Sequence, residues 1–434
     1  MIRPLKGPDR SVPLRLPLFY LALAHLSLAL ACLALAADPH AFLGFFIHPG
    51  ALAVTHLITL GWITSSILGV MYLLAPMALR SRLPVRRADR WVAVGFALGL
   101  SGMVAHFWLA EWTGVAWSGS LVAAGPIYVT SRLVKRVAAA PVASGVRLYY
   151  AFALGNFVLA AALGILSAVD RVVDVLPGDV LSHIHGHSHL AAVGWATLVA
   201  FGSGARLLPM ILPSAVPRGG SLVLAAVWLE AGVLAMAVCA IAFPSGLRLA
   251  SVWVVAGLGA FLLQVLWMAR HRRRGAKGRQ SPDYGTIQIA LSLAYLLAAA
   301  GLGMALTFST DAEWKLRMAP VYGVLGLLGF LGQLIVAVSH RLMPLYSWLR
   351  SQAVAGRPPA LSPHRIQCRS AQLSALICWT VAIPCLAGGL AAGSGFLVAL
   401  GAWALLGGTA GNGLGIVVAL RRGRRWAEDP PGEL

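Results

Sequence analysis

Charge is what this sequence has least of. Only 11% of its 434 residues are Asp, Glu, Lys or Arg, less than half the roughly 25% usual in a soluble domain. Acids are scarcest, 14 against 34 Lys and Arg, which leaves a formal net charge of +20. Long polar stretches are missing as well. That excludes extended disorder and a nucleic-acid-binding domain as main themes. The five cysteines, Cys32, Cys239, Cys368, Cys378 and Cys385, show no CxxC or other metal spacing. Neither a zinc module nor a disulfide framework is implied, and packing is the simplest role for the four in apolar runs.

What remains is apolar: 59% of the chain is hydrophobic and the mean hydropathy is +0.79. The bilayer is therefore the main solvent. Apolar runs between charged or Pro/Gly breaks predict twelve transmembrane helices in a single polytopic domain, 1–434. They fall at 16–37, 50–78, 91–110, 115–134, 148–168, 181–210, 221–243, 250–269, 285–308, 318–344, 371–392 and 395–420. The first has no clear cleavage site after Arg15 and reads as a retained span. Barrel strands would be about ten residues long with alternating polarity. An even number of spans puts both termini on one side. That side collects 30 of the 34 Lys and Arg, leaving Arg171, Arg248, Lys315 and Arg317 opposite. The positive-inside rule then makes both termini cytoplasmic, with the basic clusters against anionic membrane lipid.

Three spans repeat a phrase: Gly, then Trp or Phe, then thirteen residues, then Pro. They are Gly61-Trp62 to Pro76, Gly194-Trp195 to Pro209, and Gly329-Phe330 to Pro344. The aromatics recur 133 and 135 residues apart, about four spans. Three four-helix units with pseudo-threefold symmetry follow, centred on the helices at 50–78, 181–210 and 318–344. Small residues allow close helix approach in lipid, and each Pro is expected to mark the end of its helix.

Twelve histidines stand in this apolar chain. Six residues before the repeat aromatic come His56, His189 and Val324; eight before it come Val54, His187 and Tyr322. The densest cluster is His183, His185, His187 and His189, which helical spacing splits into two faces. His48 and His56 lie eight residues apart, roughly on one face of span two. Ionisable groups at such depth are costly and usually functional, and neutral imidazole is the commonest metal ligand. His183, His185, His187, His189 and His48 are the candidate metal ligands, with hydrogen-bonded packing as the bland alternative. His25 and His106 read as helix–helix contacts, and His340 lies too near the basic surface to join them. Glu230, midway along span seven, is either a single helix–helix hydrogen bond or a proton relay. The outer bases read as interfacial anchors.

At these residues the chain resembles subunit I of the haem–copper oxidase and nitric-oxide reductase superfamily. The stretch from His187-Ser-His189 to Gly194-Trp195, closed by Pro209, is similar to that family's His-x-His helix. The stretch from His56 to Gly61-Trp62 is similar to its helix-two haem-ligand segment. The His-x-x-x-x-Gly-aromatic phrase also resembles the NnrS family of haem- and copper-containing membrane proteins linked to nitric-oxide stress. The resemblance implies b-type haem, with copper as a further cofactor, in electron transfer or O2/NO chemistry in a bacterial cytoplasmic membrane. It implies His56 with His187 or His189 as haem ligands, and a cytochrome or other respiratory subunit as partner. Helix ten has Tyr322-Gly323-Val324 where the oxidases have His-x-His, and span seven has no His, so a complete dinuclear centre is not expected. A metal-ion or proton transporter using the outer His cluster and Glu230 is the competing expectation.

Overall fold

A computed structural model describes residues 14–77, 83–211, 213–217, 219–272, 283–355 and 363–428. The fold is helical, and the described residues form no strand. Among them, eleven helices are long and apolar enough to cross a membrane: Arg15–Ala37, Pro49–Ala75, Arg87–Trp108, Ser144–Val173, Val180–Met210, Gly219–Ile241, Pro244–Arg270, Tyr284–Phe308, Ala312–Gln352, Arg369–Ala392 and Gly395–Trp426. At 1.5 Å per residue each exceeds the roughly 30 Å hydrocarbon core. This is the make-up of a multi-pass membrane protein. A further 27-residue helix, Trp112–Ala138, carries Arg132, Lys135 and Arg136 among many Gly and Ser residues and is not among the eleven.

Polar residues set the helix starts. Asp179, Asp283 and Asp311 each accept a hydrogen bond from the backbone N–H three residues on: Ser182 at 3.0 Å, Thr286 at 3.2 Å and Trp314 at 3.0 Å. Such side chains satisfy donors that a helix N-terminus leaves orphaned. At the basic end, buried Asp89 takes hydrogen bonds from Tyr72 Oη at 3.0 Å and from the Arg132 guanidinium. That joins three helices around one paired charge.

The prolines do not all end their helices. Pro209 lies inside Leu198–Ile211 and Pro344 inside Gln333–Ala355, which runs eleven residues further. Proline removes the N–H that would have met the carbonyl four residues back. At Pro344 that carbonyl belongs to His340, and Gln372 Nε2 donates to it instead, at 3.3 Å. A neighbouring helix thus repairs the break.

The repeated phrase acquires a shape that sequence spacing did not announce. A π-helical stretch runs over Leu57–Thr64, Leu190–Thr197 and Val324–Gly332. The first two begin directly after His56 and His189, the third begins at Val324, the equivalent register position, and each contains the repeat Gly and aromatic. The wide turns leave carbonyls reaching back five residues: Ser65 Oγ donates to Leu60 O at 3.1 Å and Thr197 Oγ1 to Ala192 O at 2.9 Å. The repeat glycines press on equivalent neighbours. A Cβ at Gly194 would stand 2.6 Å from Asn156 Cγ, one at Gly329 would stand 2.8 Å from Tyr295 Cγ, and one at Gly61 would collide with Ser27. Those partners lie on Ser144–Val173, Tyr284–Phe308 and Arg15–Ala37 respectively. The three π stretches also touch one another. Trp195 Nε1 donates to Thr64 Oγ1 at 3.3 Å, and the Phe330 ring lies 6.4 Å from that of Phe201.

Candidate functional site

The N-terminal parts of these helices bring the register histidines together in a regular way. The residue six before the aromatic in one repeat meets the residue eight before it in the next. His56 thus faces His187, with ring centroids 6.3 Å apart and planes inclined by 31°. His189 faces Tyr322, with centroids 6.1 Å apart and Tyr322 Oη 3.2 Å from His189 Nε2. All four side chains are half-buried.

Each imidazole of the first pair is anchored through Nδ1. His56 Nδ1 donates to Leu52 O at 2.7 Å, one turn back on its own helix. His187 Nδ1 donates to Ala160 O at 2.8 Å, across to Ser144–Val173. A backbone carbonyl can only accept, so in each ring Nδ1 carries the proton and Nε2 is left with its lone pair. Neither Nε2 has a hydrogen-bond partner among the described residues. Anchoring one ring nitrogen on a carbonyl while the other stays free is the second-shell pattern of metal-ligating histidine. Packing holds the rings in place. Phe107 stacks on His56 at 4.7 Å and 23°. Gly164 makes room for His187, since a Cβ there would stand 2.7 Å from His187 Cε1.

The spacing suits a shared ion. An imidazole binds a metal through the lone pair in its ring plane, with nitrogen about 2 Å from the metal and about 1 Å from the ring centre, so two rings edge-on to one ion have centroids about 6 Å apart. The observed 6.3 Å matches. His189 is committed differently. Its Nδ1 donates to His185 O at 2.9 Å and its Nε2 meets Tyr322. Of the two expected partners for His56, the geometry selects His187.

The other candidate ligands lie elsewhere. His185 stacks on His189 at 4.3 Å, as the two-face reading expected, and its Nε2 lies 3.4 Å from Met236 Sδ. His183 is buried, donates from Nε2 to Pro177 O at 2.8 Å, and sets Nδ1 3.9 Å from Asp170. It ties the loop to the helix start. His48 is a helix cap, its Nδ1 accepting from Gly50 N–H at 3.2 Å. Among the described residues, no three His, Cys, Asp or Glu side chains converge as a metal cage. Glu230 takes a hydrogen bond from Asn156 Nδ2 at 2.6 Å; Asn156 stands one turn before Ala160, the His187 anchor. His25 is satisfied by Leu21 O and Asn412 Nδ2 at 2.7 and 3.1 Å. Arg171 lies over Trp112 and Arg248 over Phe308, at 5.0 and 5.7 Å from the ring centroids, as interfacial anchors do.

Sequence reasoning missed Phe107, Gly164 and Ala160, which shape and orient the pair from other helices, and undervalued Tyr322. Only the repeat register could have found Tyr322: it occupies the place that His187 holds one unit earlier. No protein family matches this chain, and no curated protein matches it.

Proposed function

We propose that this chain is a haem-binding protein of the cytoplasmic membrane, similar in plan to subunit I of the haem–copper oxidases, with His56 and His187 as the residues that would hold the haem iron. The observation that carries the reading is the anchored pair: two imidazoles from different repeats, each with Nδ1 on a carbonyl and Nε2 free, 6.3 Å apart. A bound haem supplies one-electron chemistry tuned by its axial ligands and surroundings. Held by both histidines, such a haem would favour electron transfer over binding of O2 or NO. The chain's own residues then have plain roles. Leu52 and Ala160 carbonyls fix the ring tautomers, Gly164 and Phe107 fix the ring planes, and the half-buried setting keeps bulk water scarce. A three-histidine copper centre does not fit, because the other histidines of the cluster hold Pro177, Met236 and Tyr322 instead.

The same proposal includes twelve crossings in three four-helix units, with Trp112–Ala138 as the fourth and both termini on the basic side. Its support is the twice-repeated contact, His56 meeting His187 and His189 meeting Tyr322, together with a π stretch at each repeat. Cysteines introduced at Trp112 and Ser144 should react with impermeant reagents from opposite sides of the membrane; labelling from one side would remove that crossing. Iron analysis and the visible spectrum of purified protein test the cofactor. Sharp low-spin bands in the reduced state with one haem per chain are expected. A colourless, iron-free protein from haem-replete cells would favour the transport alternative.

A further inference from the structure

At the opposite, basic end of the bundle, His340 is the most poorly satisfied ionisable side chain among the described residues. It is 4% exposed, and neither Nδ1 nor Nε2 has a hydrogen-bond partner. A neutral imidazole carries one donor and one acceptor, and leaving both unmet in a buried setting costs a few kcal/mol. The ring borders a water-sized cavity whose wall also includes Ser339, Pro344, Cys368, Gln372 and Gly415. Two wall groups are already engaged. Ser339 Oγ donates to Ile335 O at 2.8 Å, and Gln372 Nε2 to His340 O at 3.3 Å. Cys368 is half-exposed, a free thiol 3.5 Å from Ser370 Oγ, just before helix Arg369–Ala392. The other four cysteines lie within the apolar spans.

Cys368 and a buried imidazole whose nitrogens lack partners thus line one cavity. Thiolate with imidazole selects soft metal ions. Zinc prefers four ligands, and the described residues gather no third His, Cys, Asp or Glu here. A monovalent d10 ion accepts two. We infer that His340 and Cys368 form a two-ligand site for Cu(I), entered from the basic face of the membrane. Binding replaces the thiol proton: Cys–SH and Cu(I) give the Cys–S–Cu unit and one released H+, with no change of oxidation state. The imidazole nitrogen completes the pair, and the ion sits in the space of one water. This inference is independent of the outer histidine pair.

The test uses the full-length protein purified in detergent under reducing conditions, with Ag(I) as a redox-inert check on Cu(I). Maleimide modification is mapped to each cysteine by mass spectrometry. Cu(I) should protect Cys368 in wild type and in the His56→Ala variant alike, so loss of the outer pair leaves the result intact. His340→Ala should weaken that protection by more than about 100-fold in Cu(I) concentration, and His340→Met, which restores a soft ligand, should recover most of it. Cys368→Ser lies outside the spans and should bind one Cu(I) fewer than wild type by competition with a chromogenic chelator. No protection in wild type, equal protection in His340→Ala, or unchanged stoichiometry in Cys368→Ser would each overturn the assignment and leave a buried water as the occupant.

Discussion

At the scale of single residues, position matters more than identity. Twelve histidines are present, but among the described residues only His56 and His187 combine an anchored Nδ1 and a free Nε2 with a facing imidazole. His25 is as deep, yet both its nitrogens are used. The supporting glycine gives a sharp prediction. Gly164→Ala would place a methyl 2.7 Å from His187 Cε1 and push the ring from its plane. Because such supporting changes cost about 10–100-fold in metal affinity, the variant should lose haem by dilution or competition while its melting temperature in detergent changes little. Retention equal to wild type would mean that His187 is not held where the ligand needs it. This contact could not be read in advance: Gly164 is one of 47 glycines, and nothing local marks it as facing a histidine 23 residues on.

At the scale of elements, the helix starts and the repeat phrase carry the architecture. Asp179 accepts from Ser182 Oγ at 2.7 Å and from Ser182 N–H at 3.0 Å. The Ser182 side-chain hydrogen bond, then its backbone one, hold the Asp179 carboxyl below the usual carboxylate range. A carboxyl whose folded value is depressed stabilises the fold above its unfolded value, near pH 4, and that support is lost as pH falls through the folded value. Asp179→Ala should therefore cost about 1 kcal/mol at neutral pH and almost nothing in strong acid, measured by thermal unfolding across pH. A deficit that does not shrink in acid would contradict the cap. The π stretches give a paired prediction. Gly329→Ala meets Tyr295 at 2.8 Å, whereas Gly326→Ala meets nothing within 4 Å. The first should destabilise by about 1–3 kcal/mol through overpacking, and the second should be neutral or slightly stabilising. Equal effects would mean that the repeat glycine is not a contact point. The phrase was legible as Gly-aromatic at a fixed period, because close approach needs a missing Cβ. Its π character was not, since wide turns depend on which neighbour each Gly must clear. The prolines misled, because a carbonyl freed by Pro344 finds Gln372 on another helix.

At the scale of the whole molecule, composition and run length were enough to foretell an all-helical, multi-pass protein, because a bilayer tolerates few other backbones. The helix Trp112–Ala138 shows the limit of that logic: its run at 115–134 reads as a span, yet the helix is not among the eleven long and apolar enough to cross. The pairing of His56 with His187 rather than His189 is also a whole-molecule property. It follows from how the helix carrying His56 sits against the one carrying His187, which no segment encodes by itself. Helix packing likewise puts His189 against Tyr322 and Trp195 against Thr64. The proposed haem iron would be shared between His56 and His187, and the most direct measurement is the iron and haem content of purified His56→Ala, His187→Ala and His25→Ala beside wild type. The first two should lose the cofactor and the third should keep it. Wild-type content in both His56→Ala and His187→Ala would contradict the proposal.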